Sequence, residues 1–235
     1  MYKDYLKAFV NIIFPAYCFV CRKKQAKEII CEECKNKIEV LMPPFCRLCA
    51  KEIRKENADI CKDCLKRKIY YDRVISCFLY KEPLVTLIHL VKYKYYDYIM
   101  EFMSLLMMDY LSKMNFSFKE YDFITSVPSH PLRIREREYN QSAILAKKIS
   151  EFLKIPFKND IIFSKKNKPS QTTLKKDLRL KNVENNFFIK KDLTDKNIII
   201  VDDVITTGAT LSECAKALKK KGANSVVALT LVKVP

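Results

Sequence analysis

Glycine is almost missing from this chain. It occurs twice in 235 residues, at Gly208 and Gly222, alongside no tryptophan and two histidines, His89 and His130. The shortage accompanies an abundance of Lys, Asn and Ile along the whole length, so it reads as compositional drift rather than a local loss. No apolar run reaches the ~18 residues of a membrane-spanning helix, which excludes a helical span. The start, Met1 to Cys21, holds an apolar stretch, but Asp4 stands early in it and Asn11 breaks it. No small-residue cleavage site precedes the cysteines, so a secretory leader is not expected. Leu6, Phe9, Val10 and Ile13 fall at helical spacing and predict a short amphipathic helix docked on the protein. Nothing repeats internally except the cysteine pairs.

What is present suits a water-borne protein of one or two domains, with 49% hydrophobic and 30% charged residues. The chain is basic, with 44 Lys and Arg against 27 Asp and Glu. Residues 1–70 hold 16 basic and 9 acidic side chains, and residues 71–235 hold 28 and 18. Most of the excess therefore lies in the second part. Such a charge attracts nucleic acid, an anionic membrane surface or a highly charged phosphate substrate. Lysine-rich composition with no partner is the plainer alternative.

Ten cysteines in a small secreted protein would suggest disulfides. Here eight of them form four identical Cys-x-x-Cys pairs: Cys18/Cys21, Cys31/Cys34, Cys46/Cys49 and Cys61/Cys64. That spacing lets two thiolates reach one tetrahedral ion, and two pairs close a structural zinc site. Four pairs imply two zinc ions. Sequential pairing is the simplest, and an interleaved pairing remains open. An iron–sulfur cluster and a redox dithiol are the competing readings. Zinc knuckles often place glycine after the second cysteine; here Arg22, Lys35, Ala50 and Leu65 stand there. Cys77 and Cys214 have apolar neighbours and read as core residues.

The most informative run is Ile198 to Thr210, IIIVDDVITTGAT. Its apolar β-branched residues, ending at Val201, predict a buried parallel strand. Asp202 and Asp203 follow, then Thr206, Thr207, Gly208, Ala209 and Thr210, then a helical pattern in Leu211, Cys214, Ala215 and Leu218. A helix N-terminus and loop amides supply donors to a phosphate, and threonine hydroxyls add more. Gly208 lets the backbone approach an anion without a Cβ. Two carboxylates can accept ribose hydroxyls or hold a hard cation such as Mg²⁺. The string resembles the phosphoribosyl-diphosphate (PRPP) signature of type I phosphoribosyltransferases at every position.

Three segments are expected along the chain: a cysteine module over 1–70, then a strand and one or two helices, then an α/β core over 121–235 within a second domain of 71–235. The alternation predicts strands at Asp72–Tyr80, Asp122–Val127, Ile161–Ser164, Lys196–Val201 and Ser225–Val232. Helices are predicted within Pro83–Met114 and at Gln141–Leu153 and Thr210–Lys221. The fold class expected is α/β, with a parallel sheet and a small amino-terminal zinc-ribbon domain. After the first core strand, Val127, Pro128, His130, Arg133, Arg135, Arg137, Asn140 and Gln141 make a basic loop suited to a pyrophosphate. Lys165–Thr172 reads as a candidate lid. Lys92–Tyr96 interleaves bases and aromatics, as single-strand nucleic-acid grooves do, although packing is the commoner use of such tyrosines. His89 reads as structural, and His130 as the better functional candidate.

Together these residues resemble the ComF family, the competence-associated branch of the phosphoribosyltransferases. The four cysteine pairs match its zinc ribbon, and Lys92-Tyr93 its lysine-tyrosine element. Val127, Pro128, His130, Arg137, Tyr139, Asn140 and Gln141 match its strand-end loop. Gln171, Leu174, Arg179, Asn182 and Phe187 match a further element, and the PRPP signature closes the pattern. Glu138 departs from it, standing where the family has glycine. The resemblance implies a PRPP-binding, phosphoribosyltransferase-like protein of DNA uptake. Asp202 and Asp203 would act at the reacting sugar, Val201 to Thr210 at PRPP, Mg²⁺ with the substrate, and Lys92 with the basic loop near the pyrophosphate. It also implies single-stranded DNA, a DNA-uptake helicase or membrane-channel proteins as partners. The location implied is the cytoplasm, at the inner face of the membrane. The alternative is a non-catalytic single-stranded-DNA adaptor that takes PRPP as a regulatory ligand.

Overall fold

The computed structural model describes residues 17–23, 26, 29–53, 59–94, 98–129, 139–164 and 186–235. The expected amino-terminal helix, the stretch from His130 through Arg137, and the excursion from Lys165 through Asn182 lie outside the described residues.

Four strands make the main sheet: β1 (Arg73–Leu79), β2 (Phe123–Ser126), β5 (Asn197–Ile205) and β6 (Ser225–Lys233), in the order β1-β6-β5-β2. All pairs are parallel. The central strands carry apolar runs on both faces because both faces are covered: every residue of Ile198 to Val201 and of Ala228 to Leu231 is completely buried.

On one face lie α3 (Leu84–Lys94), α4 (Tyr98–Lys113) and α5 (Gln141–Leu153). Leu84, Leu87, Met103, Leu145 and Ile149 from these helices pack with Ile199 and Val201. On the other face lies α6 (Ala209–Lys219), whose Leu211, Cys214, Ala215 and Leu218 pack with Ile198, Ile200 and Ala228. Cys77 and Cys214 are fully buried, and burial holds both thiols well above their ordinary pKa. No described helix is long and apolar enough to cross a membrane.

Two expectations need correction. The strand predicted to stop at Val201 runs on to Ile205, through both aspartates, because β6 continues beside it and pairs Asp202 with Thr230 and Val204 with Val232. A paired neighbour offers ladder hydrogen bonds that outweigh the poor strand propensity of Asp. The short strand β3 (Ile162–Ser164) does not join the parallel sheet; it pairs antiparallel with β4 (Phe187–Ile189), which the sequence pattern did not reveal.

The cysteine module wraps the sheet rather than standing apart. Its two short helical turns are α1 (Glu32–Lys35) and α2 (Lys62–Leu65), each starting beside a ligand cysteine. Between the ribbons, Val40 bridges Phe78 antiparallel, so the linker lies along the free edge of β1. Covering an edge in this way removes a template for unwanted strand pairing.

Candidate functional site

The carboxyl end of β5 is where the chemistry-bearing residues meet. Asp203 forms an ion pair with Lys92, 2.8 Å away on α3, with both side chains largely buried (16% and 24% exposed). Asp202 accepts a hydrogen bond from the Ser142 hydroxyl at 2.7 Å and from the Asp203 amide at 2.9 Å. Burial works to raise both carboxyls. At Asp202, burial and the adjacent Asp203 charge prevail and push the pKa up to about 7. At Asp203, burial is overridden by the Lys92 ammonium, which holds this carboxyl below its usual range.

Ser142 stands in the first turn of α5, and its position is set by Asn140. The Asn140 side chain accepts from the Ser142 amide at 3.1 Å as an N-cap, accepts from the Ser129 hydroxyl, and donates to the Val127 carbonyl at 3.0 Å. The Tyr139 hydroxyl donates to the Val91 carbonyl at 3.0 Å, one residue before Lys92. The end of β2, the start of α5 and the end of α3 are thus tied together around the acid pair. Gln141 is buried, and its amide nitrogen has no hydrogen-bond partner among the described residues.

Beyond the acids, Thr206 is exposed while Thr207 and Gly208 are buried. Gly208, at φ 75°, is the N-cap of α6 and lends no side-chain cap. In that first turn the Ala209 amide donates to the Thr207 hydroxyl at 3.4 Å, and a helix N-terminus whose capping residue has no side chain is an arrangement that receives anions. Ala209 and Thr210 are half-buried in that turn. Val201 is completely buried in the core, and its carbonyl accepts from the Val127 amide, so it orders the strand beneath the site. Pro128 is half-buried after β2. His130, Arg133 and Arg137 lie outside the described residues. His89 is exposed, with its ring edge-on to Tyr93 and a 3.2 Å hydrogen bond to the Tyr80 hydroxyl.

Sequence reasoning missed Ser142, Arg67 and Tyr71. Arg67 donates to the Thr207 carbonyl at 2.8 Å, and the buried Tyr71 packs against Gly208. The only signal for Ser142 was its place two residues after a capping asparagine; nothing local marks the other two.

The eight paired cysteines resolve into two tetrads, Cys18, Cys21, Cys31 and Cys34, and Cys46, Cys49, Cys61 and Cys64. The pairing is sequential. Within each tetrad the sulfurs lie within 4.8 Å of one another, and all are free thiols. The Cys21–Cys31 and Cys49–Cys61 sulfurs are 3.8 and 3.7 Å apart. Four thiolates at ~2.3 Å from a tetrahedral zinc stand ~3.8 Å apart, whereas a disulfide requires ~2.05 Å. The donor sets fit two structural zinc ions.

The comparisons with known proteins agree. A double zinc ribbon domain matches residues 9–65, and a phosphoribosyl transferase domain matches residues 140–235. Competence protein F of Haemophilus influenzae is 32% identical over 176 residues, spanning 72% of this chain and 76% of that protein. The chain belongs to the ComF family. A second relative, DNA utilization protein YhgH of Escherichia coli, is 30% identical over 168 residues, spanning 71% of this chain and 74% of its own. A purine phosphoribosyltransferase from Pyrococcus horikoshii overlays 57% of this ComF chain and 81% of its own, at 25% identity and a TM-score of 0.33. The two family matches make the α/β core one of the phosphoribosyltransferase type, joined to a double zinc ribbon.

Proposed function

We propose that this ComF protein binds PRPP with Mg²⁺ at the carboxyl end of β5 and acts as a phosphoribosyltransferase in DNA uptake. The observation that carries this reading is the convergence there of an acid pair, a lysine and a Thr-Thr-Gly turn opening a helix. The 5′-phosphate would sit on Thr206, Thr207, Gly208, Ala209 and Thr210. Asp202 and Asp203 would accept the ribose hydroxyls, with Ser142 and Lys92 holding the two carboxylates apart in role. Lys92, Gln141 and the segment carrying His130, Arg133 and Arg137 would face the pyrophosphate. Mg²⁺ would be held mainly by substrate oxygens, with these carboxylates as its protein donors, and would neutralise charge on the departing pyrophosphate. A nucleophile forms a bond to the sugar C1 as the C1–oxygen bond breaks, and pyrophosphate leaves with the electron pair.

The test is calorimetry with Mg²⁺ and PRPP. Each acid is worth ~1–3 kcal/mol as a matched polar group. The Asp202→Ala, Asp203→Ala double variant is therefore expected to bind at least a hundredfold more weakly; equal affinity would remove the site.

A second reading is a non-catalytic adaptor for single-stranded DNA, favoured by the net charge of +17. Pyrophosphate release with pooled bases, nucleotides and amines supports the enzyme. Tight PRPP binding without release, together with oligonucleotide binding that weakens by ~0.7 log units per log of salt for each phosphate neutralised, supports the adaptor. Family membership also suggests a cytoplasmic site of action, with helicase or membrane-channel partners at the inner face of the membrane.

A further inference from the structure

The two zinc ribbons do not sit alike on the core. The first places Cys18, Ile30, Cys31 and Cys34 in the cluster formed by α3, α4 and α5. The second reaches the phosphate turn. Leu48, whose carbonyl lies between ligands Cys46 and Cys49, accepts a 2.5 Å hydrogen bond from the Tyr71 hydroxyl. That hydroxyl occupies the space a Cβ at position 208 would fill. Three residues after ligand Cys64, the Arg67 amide donates to the Cys64 carbonyl at 3.1 Å, while its guanidinium donates to the Thr207 carbonyl at 2.8 Å. The Tyr70 amide donates to Ser212 in α6, and the Tyr70 ring is approached by both Lys68 and Lys216.

We propose that the second zinc ribbon is a working part of the phosphate site, with Arg67 and Tyr71 as its positioning residues. This rests on the reading of Thr206–Thr210 as a phosphate turn. The reasoning is stereochemical. In a planar trans peptide the carbonyl and the next amide hydrogen point in opposite directions. Arg67 draws the Thr207 carbonyl toward the ribbon, so the Gly208 amide faces away from it. Tyr71 backs the turn from the ribbon side and blocks the alternative flip. Both anchors start from the zinc knuckles, Leu48 inside one and Arg67 just after the other, so metal binding and the shape of the turn are coupled. Such coupling is reciprocal: ligand on the turn must also strengthen zinc at the second site.

The experiment uses the full, zinc-loaded chain, with Arg67→Ala, Arg67→Lys and Tyr71→Phe beside the wild type. Hydrogen exchange over 206–212 is expected to quicken at least tenfold in Arg67→Ala, with residues 17–53 and β6 unchanged and two zinc ions retained. Arg67→Lys should restore part of the protection. PRPP affinity should fall about tenfold in Arg67→Ala, and PRPP should slow the release of one of the two zinc ions to a chromophoric chelator. Unchanged exchange over 206–212, or equal protection of both zinc ions, overturns the proposal. If the wild type fails to bind PRPP, the phosphate reading falls by itself, and exchange over the turn alone decides whether the ribbon positions it.

Discussion

The two ribbons share a ligand set and a Cys-x-x-Cys spacing, yet they are embedded in different parts of the protein. The first packs on the helical face of the sheet, where Phe19 meets Tyr98 edge-on at 6.0 Å. The second packs under the turn that follows β5, and its Phe45 and Ala50 join the cluster containing Leu211 and Ala228. Identical metal chemistry therefore does not imply an identical role; what each ribbon touches decides that.

The strongest way to break this comparison is to remove zinc from one ribbon at a time. Structural zinc supplies ~10–16 kcal/mol of apparent binding energy in finger-like peptides. Cys31→Ser with Cys34→Ser, and Cys61→Ser with Cys64→Ser, should each leave one zinc per chain by elemental analysis and unfold the affected ribbon. Only the second pair should also abolish PRPP binding in calorimetry. Equal loss in both variants would make the ribbons merely structural.

A smaller effect sharpens it at the glycines. Both are at positive φ, 75° for Gly208 and 91° for Gly222. Yet Arg22, Ala50, Asn115, Lys154 and Asp195 also adopt positive φ, so backbone conformation alone does not demand glycine here. What distinguishes the two is crowding: a Cβ at 208 meets the Tyr71 hydroxyl, and one at 222 comes within 2.9 Å of the Thr194 backbone. Left-handed backbone costs a non-glycine residue ~1–2 kcal/mol, and each collision adds to that. Gly208→Ala and Gly222→Ala should each lower stability by about 2–3 kcal/mol in urea titration. Only Gly208→Ala should weaken PRPP binding. Tyr71→Phe should recover part of the Gly208→Ala loss, because the clash is with the hydroxyl, and it should recover none at 222.

The smallest effect tests the knuckles themselves. Arg22 and Ala50, at φ 54° and 56°, occupy the position after the second cysteine of the leading pair in each ribbon. Lys35 and Leu65, after the trailing pairs, end the short helices α1 and α2, where no left-handed residue is needed. Exposed Arg22→Gly should stabilise by up to ~1 kcal/mol through relief of the left-handed strain. Ala50→Gly should be close to neutral, because removing its buried methyl forfeits about 0.8 kcal/mol. Thermal melts of the zinc-loaded protein measure both.

Much of the fold was legible because its signals are local. The α5 boundaries, Gln141–Leu153, match the periodic apolar pattern and the Asn140 cap. The cysteine spacing announced two metal sites, and the run from Ile198 announced a strand, acids, a turn and a helix. The end of β5 was misjudged because the acids interrupt the apolar run while β6 keeps pairing beside them. Strand β4 was missed because three residues, of which only Ile189 is buried, carry too short a pattern.

By itself, the sequence determined which residues could bind metal and phosphate, since ligand spacing and turn chemistry are properties of neighbouring residues. Only the tertiary structure decided that the cysteine pairs close sequentially, that Lys92 neutralises Asp203, and that Arg67 holds Thr207 from 140 positions away. Those contacts join segments with no common periodicity. They form because the parallel sheet brings the ends of α3, β5 and the second ribbon together at the carboxyl end of its strands, where a buried charge or carbonyl must find a partner.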